Sequence, residues 1–124
     1  MPSEPQLPAE PLCLVFGDED FLVRDRAKQI YEGWCAAAGG MDHEVVDGTV
    51  RNADEALQAL AKLNEALQTL PFFGGNKVVW LRGANFLGDD RTASSAAVTD
   101  RLTELSKSWE SFDWQGVQLL ISAG

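Results

Sequence analysis

The chain has 124 residues, 45% of them hydrophobic, and a formal charge of −9, which describes one domain with a core of its own. The acidic balance disfavours nonspecific attraction to a nucleic-acid backbone, so DNA is expected to be met only indirectly. No apolar run is long enough to span a bilayer and no basic, apolar secretory signal opens the chain, so the reading is a cytoplasmic protein with no membrane partner.

Residues 1–11 hold four of the five prolines, Pro2, Pro5, Pro8 and Pro11, and show no apolar period. Such a segment cannot bury enough surface to offset its ordering entropy, and a disordered leader is expected ahead of a domain over 12–124. Leu12 to Phe16 is a continuous apolar run closed by Gly17, the pattern of a strand covered on both faces. Val23, Ala27, Ile30, Trp34 and Ala37 then recur at helical spacing until Gly39-Gly40 ends the helix. Cys13 and Cys35 fall in that strand and that helix, outside any CxxC spacing, and read as buried free thiols in preference to a disulfide.

Glu44–Asp47 is a short second strand. Asn52 with Glu55 three residues on marks a helix start, and Leu57, Leu60, Leu63, Leu67 and Leu70 carry the apolar stripe onward. The stripe drifts near Asn64, where a break is expected, and Pro71 disfavours helical geometry at Leu70. Val78–Leu81 is a third strand, again without alternation and so central. Gly88 to Thr99 is small and polar, the composition of a mobile loop. Val98, Leu102, Leu105, Trp109 and Phe112 set a third helix, and Val117–Ile121 a fourth strand.

This alternation predicts an α/β fold, a three-layer sandwich built on a mainly parallel sheet. The strands at Leu12–Phe16, Val78–Leu81 and Val117–Ile121 should be neighbours. The chain stops three residues after the last of them, so a fragment is expected, with the Val117 strand left as a poorly covered edge.

In such folds a nucleotide phosphate sits where the first strand meets the first helix. That junction reads Gly17-Asp18-Glu19-Asp20-Phe21-Leu22-Val23-Arg24, without the lysine and hydroxyl of a P-loop and with three carboxylates in the space. Those acids suit the positive end of a helix dipole and repel phosphate. The third strand ends Leu81-Arg82-Gly83-Ala84-Asn85, with no carboxylate for magnesium before Asp89. His43 is the only histidine, so a triad would rest on one loop residue, and the plainer reading is a lone exposed side chain. Trp34, Trp80 and Trp109 lie on apolar stripes or in a strand and read as core, with Trp114 the one candidate for the surface. No catalytic residue, metal or cofactor follows from these patterns.

Gln68-Thr69-Leu70-Pro71-Phe72-Phe73, followed by Gly74-Gly75, admits two readings. Large apolar residues are usually inside, which makes the phenylalanines a core plug. Adjacent residues of an extended segment point to opposite sides, however, so both cannot easily face one core, and the glycines free the chain to present a docking tip.

Three stretches in this order, Leu14 to Val23, Leu67 to Gly74 and Val78 to Leu87, resemble the N-terminal domain of the delta subunit of bacterial DNA polymerase III, a part of the sliding-clamp loader. The resemblance covers Leu12 to Gly124. It implies the AAA+ (P-loop NTPase-like) fold without a functional nucleotide site, and no activity in this piece of a nucleotidyltransferase holoenzyme. It also implies a hydrophobic helix-end element that enters a pocket on the ring-shaped clamp, the beta subunit, and helps open it. Matched by position, the anchors are Leu70, Phe72 and Phe73, with Pro71 stiffening the tip and Gln68 where clamp-binding peptides carry a glutamine. Other clamp-loader subunits are implied partners of the longer protein. The segment Asn52–Leu67 is longer than the resemblance leads one to expect. A divergent P-loop nucleotide-binding enzyme, or an interaction domain with the Phe pair buried, are the alternatives.

Overall fold

The computed structural model describes residues 11–17, 19–39, 43–69, 77–86, 96–112, 114 and 116–123. Within them strand and helix alternate as β1 (Leu12–Phe16), α1 (Asp20–Ala38), β2 (Glu44–Asp47), α2 (Ala53–Gln68), β3 (Lys77–Arg82), α3 (Ala96–Glu110) and β4 (Val117–Ala123). All four strands are parallel, in the order β1-β4-β3-β2. The expected α/β sandwich is present, and the three strands singled out above are neighbours.

Successive strand residues face opposite layers, and the two cores follow that alternation. Val78, Trp80 and Leu120 pack with Ala27, Ile30 and Trp34 of α1 on one face. On the other, Val79, Leu81, Leu119 and Ile121 meet Leu60, Leu63 and Leu67 of α2 and Val98 and Leu105 of α3. Leu60, Leu63 and Leu119 are fully enclosed, each worth about 1.5–3 kcal/mol relative to exposure.

Three expectations are corrected. The Val117 strand is no edge: β4 lies between β1 and β3, pairing Leu12 with Leu119 on one side and Lys77 with Val117 on the other. The edge strands are β1 and β2, and β1 is not covered on both faces. Cys13 and Val15 pack toward α1, but Leu12, Leu14 and Phe16 point to the opposite face and are exposed, Phe16 at 73%. A continuous apolar run reports high hydrophobicity without reporting where the neighbouring helices end. The third correction is in α2, which runs unbroken through Asn64. Its buried line is Ala56, Ala59, Leu60, Leu63, Ala66 and Leu67, so alanines bridge the point where the leucine stripe drifts.

Residues 1–10 of the expected leader and 88–95 of the expected loop lie outside the described residues, while residues 96–99 of that loop open α3. The Pro11 carbonyl accepts the Leu119 N–H at 2.7 Å, one residue before β1 begins.

Candidate functional site

The helix α2 is secured at both ends by side chains. At its start Asn52 Oδ1 accepts the Glu55 N–H at 2.9 Å, as the sequence signals, and the Glu55 carboxylate reaches back to the Arg51 N–H at 2.9 Å, one residue before the cap. Hydrogen bonds from Arg51 hold the Glu55 carboxyl below its usual range. At the other end Thr69 adopts an extended conformation, and both its N–H and its hydroxyl donate to the Glu65 carbonyl, at 3.0 and 2.8 Å. Leu67 is buried in the core and Gln68 is exposed. The last helical turn therefore has one face committed to packing and the other open.

The chain returns at Lys77, the first residue of β3. This lysine is buried, and its ammonium donates to the Ala66 carbonyl at 2.8 Å and the Thr69 carbonyl at 3.2 Å while pairing with Glu44 of β2 at 2.9 Å. Its backbone N–H donates to Gly116 at 2.7 Å. One residue on, the Val78 N–H donates to Nδ1 of His43 at 3.0 Å, which leaves Nε2 to donate to the Gly39 carbonyl at 2.7 Å. His43 is thus a half-buried brace between α1 and β3 with both ring nitrogens engaged, not a free side chain and not a base awaiting a nucleophile.

Of the sequence-predicted site residues, Gln68 is placed at the exposed end of α2. Leu70, Pro71, Phe72 and Phe73 lie outside the described residues. Lys77 was not singled out by sequence reasoning. The available signal was a lysine opening a strand that is otherwise continuously apolar, where a charge needs a built partner.

At the carboxyl ends of the strands, where open α/β sheets bind ligands, a cleft of about 270 Å3 is lined by Asp20, Val23, Arg24, Thr49, Gly83, Asn85 and Ser122. Asp20 brings a carboxylate to this cleft, and Glu19 caps α1 without a side-chain hydrogen bond. Arg82 at the end of β3 lies over the Trp80 ring, 5.9 Å from its centroid. Among the described residues no group of three or more His, Cys, Asp or Glu side chains gathers as a metal site. Cys13 and Cys35 are free, half-buried thiols, and burial pushes both above the ordinary thiol range. Since the thiolate is the nucleophile, neither is an activated cysteine.

Trp34 and Trp80 are core, as expected. Trp114 is not a surface platform. It is half-buried, edge-on to Phe112 at 4.8 Å and to Trp109 at 6.4 Å, and its Nε1–H donates to the Trp109 carbonyl at 3.0 Å. Among the described residues no helix is long and apolar enough to cross a membrane.

No curated protein and no solved structure matches the chain. The family model described as DNA polymerase III, delta subunit, matches residues 14–112, a span that runs from the middle of β1 through α3 and includes both ends of the segment between α2 and β3. The chain belongs to the DNA polymerase III delta-subunit family.

Proposed function

We propose that this chain is the clamp-contacting domain of a clamp-loader delta subunit, over residues 12–124, and that it acts in DNA replication by holding the sliding clamp. Gln68, Leu70, Pro71, Phe72 and Phe73 form the docking element, with Leu70, Phe72 and Phe73 as apolar anchors. The observation that carries this reading is the family match together with the end of α2. There Gln68 is exposed, Leu67 is the last core leucine, and Thr69 turns the chain out of the helix in extended form.

The domain works by binding and does no chemistry. The strand–helix turn after β1 carries Glu19 and Asp20 where an AAA+ ATPase needs phosphate-binding groups, so ATP is not its ligand. The parallel order β1-β4-β3-β2 is compatible with descent from such a nucleotide-binding module. The ring-opening work belongs to the contact itself and to other loader subunits.

The test is the pair of changes Leu70→Ala and Phe73→Ala, read by binding to the sliding clamp and by thermal unfolding. Anchors of this kind cost about 2 kcal/mol or more each when truncated, so the double variant should bind on the order of a thousandfold more weakly. Unchanged affinity ends the docking reading. A collapse of folding instead returns the phenylalanines to the core.

A further inference from the structure

Lys77 occupies a position that packing alone would give to an apolar residue. It opens a strand buried along Lys77–Leu81, and its side chain is only 3% exposed. An ammonium has three donors and no acceptor. Here all three are matched, by the carbonyls of Ala66 and Thr69 and by the Glu44 carboxylate. The Ala66 carbonyl belongs to the last turn of α2, where helix carbonyls lack intrahelical partners and a cation suits the dipole. Three elements, α2, β2 and β3, therefore meet at one nitrogen.

Stability alone is a weak reason for this arrangement. Replacing a buried ion pair by apolar residues of similar volume is often neutral or stabilising. What an apolar side chain cannot do is bond two carbonyls. The carbonyl of Thr69 and the side chain of Lys77 bracket residues 70–76, so the 3.2 Å bond between them joins the two exits of that segment.

We infer that Lys77 is a positioning residue for the clamp-docking element, acting with Glu44 as a clip across its base. The inference rests on the docking reading above and adds to it the device that orients the anchors. The clip fixes where the chain leaves α2 and where it rejoins the sheet, which limits the conformations the anchors sample before they meet the clamp. Glu44, half exposed on edge strand β2, supplies the countercharge that keeps the ammonium in place.

The decisive variant is Lys77→Met combined with Glu44→Leu, which removes both charges together and leaves only the Ala66 and Thr69 carbonyls without the ammonium. In the intact chain it should still unfold cooperatively, with a midpoint lower by a few degrees at most, since only two carbonyl partners are lost. Amide hydrogen exchange within 70–76 should rise by about tenfold or more, and affinity for the sliding clamp should fall by about tenfold, since the conformational freedom removed by the clip must then be lost on binding. In a Phe73→Ala background most of that affinity loss should vanish, because the clip acts through the anchors. Unchanged exchange and unchanged affinity in the folded variant overturn the inference, as does an equal loss in both backgrounds. Should the double variant fail to fold, Glu44→Gln carries the same test. A smaller rise in exchange with weaker clamp binding supports the clip, and no change in either overturns it. The two readings separate cleanly. If Leu70→Ala with Phe73→Ala abolishes binding while loss of the clip does not weaken it, docking stands and the clip falls. If the anchor variant binds the clamp normally, docking falls and takes the clip's role with it.

Discussion

The indole Nε1–H of Trp80 donates to the hydroxyl of Ser122 across the two central strands, at 3.0 Å. The same hydroxyl accepts the Gly83 N–H at 3.1 Å, and Ser122 is 1% exposed. Ser122→Ala leaves two donors without their acceptor, one of them from a large core side chain. The expected loss is about 2 kcal/mol, or roughly 8 °C in thermal midpoint for a domain of this size. An unchanged midpoint would show that neither donor depends on the hydroxyl.

Gly48 is buried where the chain leaves β2, and its N–H donates to the Arg82 carbonyl at 2.7 Å. A Cβ at this position would lie 2.9 Å from Ala84 Cα and 3.1 Å from both Ala84 N and the Arg82 oxygen, all of them backbone atoms. Gly48→Ala must therefore move one connection away from the other. It should cost about 1–3 kcal/mol in denaturant unfolding. The neighbouring exposed change Thr49→Ala should stay within about 0.5 kcal/mol.

Tyr31 is the only tyrosine, so its ionisation can be followed by ultraviolet absorbance without interference from another. Burial, then Cys35 and Glu44 nearby, pushes its hydroxyl up to about 12 from an ordinary 10.0. The unfolded chain thus ionises first. This contribution to stability is complete below about pH 10 and is lost as the pH rises toward 12. The native titration midpoint should lie near 12 and return to about 10 in denaturant. Tyr31→Phe should remove that part of the alkaline loss. Cys13 and Cys35, also raised by burial, keep a remainder of the same sign.

The open edge of the sheet carries Leu12, Leu14 and Phe16 on its uncovered face. A long apolar edge is a template for unwanted pairing. Leu14→Lys with Phe16→Lys should raise the concentration at which light scattering first reports association. Because Leu14 is 52% and Phe16 73% exposed, the thermal midpoint should change little. Association at the same concentration as the parent would place the sticky surface elsewhere.

The order and type of every described element were legible in the sequence, most firmly where long apolar periods are separated by glycine and proline and least firmly at the four-residue Glu44–Asp47 strand. What was not legible depended on partners distant in the chain. Leu12 to Phe16 reads as a buried strand on composition, and only the sheet order reveals that β1 is an edge with one face beyond the reach of α3. Asn64 looked like a break because leucines were counted and alanines were not, yet Ala56, Ala59 and Ala66 line the same face. His43 and Lys77 looked unremarkable because their partners, Gly39, Val78, Ala66, Thr69 and Glu44, are assembled by the crossovers that lay β3 against β2. Of the docking element, Gln68 could be placed from the helix period, while the role given to Leu70, Phe72 and Phe73 came from resemblance.

The insertion of β4 between β1 and β3 also dictates an order of assembly. The unit β2-α2-β3 pairs Val46 with Leu81 through one helix and can gather as soon as those residues are available. Among the described residues β1, the first of the four strands, has β4, the last of them, as its only strand neighbour, with Leu12 opposite Leu119. During synthesis that pairing must wait until the three helices and two other strands between them have been made. Such distant pairings slow folding and leave apolar surface open to capture by other chains. The apolar side chains of Leu14 and Phe16, exposed even in the folded domain, lengthen the list of surfaces open to such capture during that interval.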